Sequence, residues 1–202
     1  MMIDEIGNNS INEGHPWSRL PTMSNELKTF IQGTADFLGL NYYTSRIVKP
    51  RQKTSKDKVG FGNDVGIDLM IDPSWKMAKS VWILSVPDGL RDVLIWIKNK
   101  YNNPLVLISE NGWSDDGEME DDGRIEYLSD HMVSVAKAIS EDSCNIIGYT
   151  VWSIIDNFEW NQGYSEKFGI YAVNMTSPTK ERTPKKSAQF MKDVIEKRII
   201  YI

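Results

Sequence analysis

Hydrophobic positions along this chain fall into two rhythms, short continuous runs and longer stretches spaced three and four apart. The run at 36–43, "DFLGLNYY", is apolar and aromatic and closes on polar Asn41, which predicts a short strand. Over 87–101, Leu90, Val93, Leu94, Ile97 and Tyr101 recur at helical spacing, and Asn102-Asn103-Pro104 stops that helix. The run "LVLISE" at 105–110 reads as a second strand, apolar on both faces and so expected to be covered on both. A helix over 124–139 follows, with Ile125, Leu128, Met132, Val135 and Ile139 in one stripe and acids before it that suit its amino-terminal dipole. "NIIGYTVWS" at 145–153 predicts a third strand, and Thr183-Pro184 reads as a cap and first-turn proline opening a last helix to about residue 197.

Strand and helix therefore alternate three times, and that order demands parallel strands with right-handed crossovers. Asn41, Tyr43, Glu110, Asn111, Trp152 and Ser153 all fall at the carboxyl ends of the predicted strands, the rim on which α/β folds build their sites. Two long connections leave that rim, 44–87 and 154–182, and loops of such length are expected to be lids or binding loops. Glu110 poses the sharpest question: a carboxylate delivered to the end of a buried run, directly before a turn at Asn111-Gly112.

Composition narrows the classes. With 202 residues, 41% apolar and 25% charged, the chain has enough material for one sizeable core. A net charge of -5 disfavours nucleic acid as the main partner, since phosphate binding needs a dominant basic field. The basic cluster Arg46, Lys49, Arg51, Lys53, Lys56 and Lys58 lacks interleaved aromatics and reads as a solvated loop face. No apolar run approaches the roughly 20 residues of a membrane span, and the amino terminus has no apolar signal-peptide core. One cysteine, Cys144, rules out an internal disulfide. The acidic run at 115–123, "DDGEMEDDG", lacks the glycine and ligand register of a calcium loop and reads as a solvated turn; His15 and His131 have no metal spacing. Sequons stand at Asn8-Asn9-Ser10 and Asn174-Met175-Thr176. No cofactor motif is present. Seven tryptophans are in excess, and most, Trp96 among them, are expected in the core.

Alone, Glu110 at a strand end reads as an ion-pair partner sooner than as a catalyst, and Tyr43 as a buried aromatic with a satisfied hydroxyl. The combination changes this. "FLGLNYY", "LISENG" and "WSIIDNFEW" with "GYSEKFGIY", in that order, resemble the carboxyl-terminal part of glycoside hydrolase family 1, the retaining β-glucosidases, most like its insect β-glucosidase and myrosinase branch. The likeness runs over nearly the whole chain. Ser109 stands where the family pattern has threonine.

The resemblance implies an α/β fold that is part of an eight-stranded (β/α) TIM barrel, with this chain supplying strands six, seven and eight as the carboxyl-terminal portion of one barrel domain over 1–202. It implies hydrolysis of β-glycosidic bonds in a small glycoside or oligosaccharide, with Glu110 as nucleophile and Tyr43 orienting it. Such chemistry uses one ionised carboxylate and a second carboxyl ~5 to 5.5 Å away that protonates the leaving oxygen. Asn41, Trp152, Glu159, Trp160 and Phe168 correspond to sugar-binding positions, and Trp82 to the aglycone side, with a loop anchor as its plain alternative; Asp156 and Asn157 are read as structural. No metal or cofactor is implied.

The family's acid/base glutamate, in an asparagine-glutamate-proline motif, has no counterpart here, nor do the glutamine and histidine of the first strands. The chain accordingly resembles a partial gene product or isoform, about two fifths of a typical member. Two readings stay open: a piece of a β-glycosidase, or a truncated non-catalytic isoform or sugar-binding relic. Within the first, β-glucosides, β-galactosides and thioglucosides are all open. Full-length relatives are often secreted.

Overall fold

The expected alternation is present in the computed structural model, which describes residues 2–51 and 60–200. In chain order the elements are α1 (Met2–Asn12), α2 (Asn25–Ile31), β1 (Leu38–Asn41), β2 (Ile47–Pro50), α3 (Phe61–Val65), β3 (Ile67–Met70), α4 (Pro87–Lys100), β4 (Val106–Asn111), α5 (Asp122–Ser140), β5 (Ile146–Val151), a 3₁₀ turn (Trp160–Gln162), β6 (Tyr171–Val173), β7 (Arg182–Pro184) and α6 (Lys186–Lys197). They fall into two compact units, Met1–Ala35 with Arg46–Asp72, and Asp36–Ser45 with Pro73–Ile202.

The second unit holds the three predicted strands. Among the described residues they form a parallel sheet in the order β1-β4-β5. α4 and α5 lie on one face, where Leu90, Leu94 and Ile97 meet Val106, Ile108, Val135 and Ala138. Each leucine, isoleucine or valine among these, taken fully from water, contributes about 1.5–3 kcal/mol, so this face dominates the sheet's stability. The opposite face departs from expectation: Leu107 and Ser109 are half-buried and Ile147 is 53% exposed, so β4 is covered on one side only within the described residues. Leu107 lies against Gly148, where a Cβ would stand 2.8 Å from its Cδ1.

The helical stripes are right at their centres and wrong at their ends. Tyr101 caps α4 and is 52% exposed, and Ile139 in the last turn of α5 is 47% exposed. None of the seven tryptophans is fully buried, contrary to expectation; Trp96 is 54% exposed and packs edge-on against Tyr101. The last helix begins at Lys186 rather than after Thr183-Pro184. Those two residues belong to β7, which pairs with β6, Tyr171 opposite Pro184. Proline tolerates this place because a two-stranded edge needs no donor from it.

The acidic run is not a solvated turn throughout. Asp115 and Asp121 are buried and both pair with Arg124, whose side chain is wholly inaccessible. Asp121 also accepts from the Ser187 backbone at 2.8 Å and hydroxyl at 2.5 Å, and buried Lys185 bridges Asp115 at 3.6 Å and Asp156 at 3.3 Å. Buried charges persist only when paired, and this network ties the loop after β4, the loop after β5 and the start of α6 together.

The first unit contains much of the connection expected to be irregular. β2 and β3 pair antiparallel, and α3 precedes β3. Buried Asp64 on α3 accepts from Asn9 at 3.0 Å and, in a fork, from Arg19 at 3.1 and 2.8 Å. Of the basic cluster, Lys53, Lys56 and Lys58 lie outside the described residues; Arg51 donates to the Gly62 carbonyl at 3.0 Å.

Candidate functional site

Backbone register delivers the first two polar groups. β1 and β4 run in parallel, and a shift between Leu40 and Asn41 sets Asn41 beside Glu110. The Tyr42 amide makes the last strand contact, donating to the Glu110 carbonyl at 2.9 Å. Tyr42 turns inward, 7% exposed, and donates its hydroxyl to the Val86 carbonyl at 2.7 Å. Tyr43, next in an extended chain, takes the opposite direction and donates its phenol to Glu110 Oε2 at 2.7 Å. Burial, and then the neighbouring Glu110 carboxylate, push the Tyr43 phenol well above its ordinary range, so it remains a donor. Ser109 Oγ donates to Asn41 Oδ1 at 2.7 Å, which turns the Asn41 amide nitrogen away from Ser109.

The end of β5 supplies the second half. Trp152 Nε1 donates to Glu159 Oε1 at 3.1 Å, and Glu159 is only 8% exposed. Directly after Glu159 the chain doubles back through the 3₁₀ turn, the Glu159 amide donating to the Gly163 carbonyl at 2.7 Å, and this turn holds Trp160 outward at 83% exposure. The sharp turn expected at Asn111-Gly112 is absent, since β4 runs through Asn111 and the first bend comes at 116–117; Gly112 serves a close approach instead, because a Cβ there would lie 1.9 Å from the Trp152 carbonyl oxygen and only glycine lets the two strand ends pass this closely. Phe168 is buried and meets the Tyr43 ring edge-on at 6.4 Å, while Trp82 approaches the same ring at 5.5 Å.

These groups enclose one pocket of about 270 Å³, lined by Asn41, Tyr43, Trp82, Glu110, Trp152, Glu159, Trp160 and Phe168. All eight residues singled out from the sequence are thus brought together. The volume is near the low end of the range of about 300–1,000 Å³ for small-molecule sites. Its lining pairs aromatic faces with two carboxylates, one aligned by a phenol and one by an indole N–H. Carboxylate oxygens accept hydrogen bonds from vicinal hydroxyls, and flat apolar rings suit the C–H faces of a sugar. Among the described residues no group of three or more His, Cys, Asp or Glu is placed to hold a metal ion.

The sequence reading missed the layer beneath. Asn111 is fully buried and donates through Nδ2 to the Tyr42 carbonyl at 2.8 Å and to the Tyr127 hydroxyl at 3.1 Å. Its Oδ1 accepts from the Tyr149 hydroxyl at 2.5 Å. A helical-face reading extended to polar residues would have found one member, since Tyr127, His131 and Ala138 share the buried side of α5.

The family model described as Glycosyl hydrolase family 1 matches residues 2–199. Myrosinase 1 of Brevicoryne brassicae is 41% identical over 191 residues, which cover 94% of this chain and 40% of that protein. Cytosolic beta-glucosidase of Homo sapiens is 42% identical over 187 residues, 92% of this chain and 39% of that protein. The solved structure of an aphid myrosinase matches with a TM-score of 0.88 at 40% identity, over 96% of this chain and 42% of its own. The chain therefore spans about two fifths of the length of the curated relatives it matches.

Proposed function

The chain belongs to glycosyl hydrolase family 1, and from that premise we propose that it supplies the nucleophile and sugar-binding half of an enzyme that hydrolyses β-glycosidic bonds with retention. Residues 1–202 are read as the carboxyl-terminal portion of one (β/α)8 barrel domain, with β1, β4 and β5 as its sixth, seventh and eighth strands. The observation that carries the reading is the hydrogen bond from Tyr43 to Glu110 inside an aromatic pocket that also holds Glu159.

Glu110 attacks the anomeric carbon, and the bond to the leaving oxygen breaks as a carboxylic acid from the remainder of the barrel gives up its proton. Water, deprotonated by that same group, then cleaves the glycosyl ester and restores both carboxyls. Tyr43 holds Glu110 in one orientation, so that little motion separates the bound state from attack. Trp152 and Trp160 offer faces to the sugar, Asn41 and Glu159 bind its hydroxyls, Phe168 walls the same end, and Trp82 lies toward the leaving group.

Glu159 also sets a limit. A 6-phosphate on the sugar would bring like charge against a carboxylate that is 8% exposed, a repulsion worth at least ~100-fold in kcat/KM. The test joins these 202 residues to the amino-terminal portion of the Brevicoryne brassicae relative and assays 4-nitrophenyl β-glucoside against its 6-phosphate. Nitrophenol release from the first alone is expected. Release from neither sinks the glycosidase reading, and comparable efficiency on both sinks the assignment of Glu159.

A further inference from the structure

We infer that Tyr127, on α5, is a positioning residue for the proposed reaction: it grips the backbone of Tyr43 and so fixes the Tyr43 phenol on Glu110. The inference rests on the roles proposed for Tyr43 and Glu110. Its starting point is where the strand ladder stops. The Tyr42 amide makes the last β1 contact with β4, and beyond it the backbone of Tyr42 and Tyr43 has left the sheet. Side chains take over. Asn111 Nδ2 donates to the Tyr42 carbonyl at 2.8 Å, and the Tyr127 hydroxyl donates to the Tyr43 carbonyl at 2.7 Å.

Tyr127 is built to hold still. It is 1% exposed, its ring stacks on His131 at 3.9 Å between centroids, and Trp113 lies against it at 5.2 Å. The His131 Nδ1 lies 2.7 Å from the Tyr127 carbonyl, which can only accept, so this nitrogen carries the ring proton. Burial lowers His131 to about 4, which keeps the ring neutral beside the phenol. The Tyr127 oxygen is saturated as well, accepting from Asn111 while donating to Tyr43, and Tyr149 fixes Asn111 from below. A site must hold its groups to within about 0.5 Å, and the Tyr43 phenol sits at the end of a long lever from its peptide plane. Releasing the Tyr43 carbonyl frees that plane to tilt, and the hydroxyl that meets Glu110 moves furthest.

The test is a double-mutant cycle in the joined barrel, with Tyr127→Phe, Tyr43→Phe and the pair, each assayed well below its own Tm. Tyr127→Phe is expected to lower kcat about tenfold with KM changed less than about twofold. In the Tyr43→Phe background the same change should alter kcat by less than about twofold, because the phenol it positions is gone. An equal fall in both backgrounds overturns the inference and leaves the role of Tyr43 intact. Tyr43→Phe without effect overturns both. Should Tyr127→Phe fail to fold, 3-fluorotyrosine at 127 keeps the hydroxyl and changes its donor strength; an altered kcat with Tyr43 but not with Phe at 43 supports the inference, and equal change in the two, or none, refutes it.

Discussion

Glu110→Ala in the joined barrel is expected to lower turnover of 4-nitrophenyl β-glucoside by several orders of magnitude, on the order of 10⁵-fold. The pocket contains one other carboxylate, Glu159, and that group is committed: it accepts from the Trp152 indole and is nearly closed to solvent. No second group at the end of β4 can take over the attack. Alanine leaves a space where the carboxylate stood, beside a phenol that has lost its acceptor. A small anion such as azide fits such a space and attacks the activated glycoside from the same face, forming the glycosyl azide in one displacement with inverted stereochemistry. The measurements are kcat with and without azide and the anomeric configuration of the product by NMR. Substantial activity without azide would assign the nucleophile elsewhere.

A second large effect is expected of the 202-residue chain expressed by itself: no glycoside hydrolysis above a Glu110→Gln control. On the proposed reading the acid that protonates the leaving group is supplied from the rest of the barrel, and general acid catalysis is typically worth about 10²- to 10⁴-fold. The sheet adds a structural reason. Its outer strands β1 and β5 each have one side unpaired among the described residues, and Phe37, Leu105 and Ile147 stand 49%, 40% and 53% exposed. Open edges and bare apolar faces recruit other chains, so the isolated protein should aggregate or bind a hydrophobic dye. Sedimentation, dye fluorescence and the assay together decide. A monomeric chain that unfolds cooperatively and turns over glycoside in a Glu110-dependent way would contradict the partial-barrel reading.

Periodicity made the alternating strands and helices legible because each carries a continuous apolar face, from Leu90 to Ile97 on α4 and from Val106 to Ile108 on β4. It gave the rim as well, since polar residues that end an apolar strand have few other places to go. Periodicity failed where polarity and burial part company. Asp115 and Asp121 look like parts of a solvated turn in a linear chain, and only folding brings Arg124, Lys185 and Ser187 to them. Thr183-Pro184 has the composition of a helix start, yet its pairing partner Tyr171 is set by tertiary contact. Trp96, expected inside by residue type, stands 54% exposed, and Trp82 and Trp160, also exposed, line the pocket. Residue types alone did not identify the eight pocket residues. Local motifs similar to a known family marked them, and the folded chain brings them within one cavity. Asn111, Tyr127 and Tyr149 belong to no such motif as a set, and their joint position beneath Tyr43 is a property of packing.

The claim at the centre of this account is that Glu110 forms a covalent bond to the sugar, and trapping that bond tests it most directly. A 2-deoxy-2-fluoro-β-glucosyl fluoride slows both steps of a retaining mechanism through its electron-poor ring, while the fluoride leaving group restores the first, so the intermediate accumulates. Incubated with the joined barrel and digested, one peptide should gain the mass of one fluorodeoxyglucosyl group, and fragmentation should assign it to Glu110. The label should be absent from Glu110→Ala. Label on Glu159 or another carboxylate, or undiminished turnover without any label, would contradict the account.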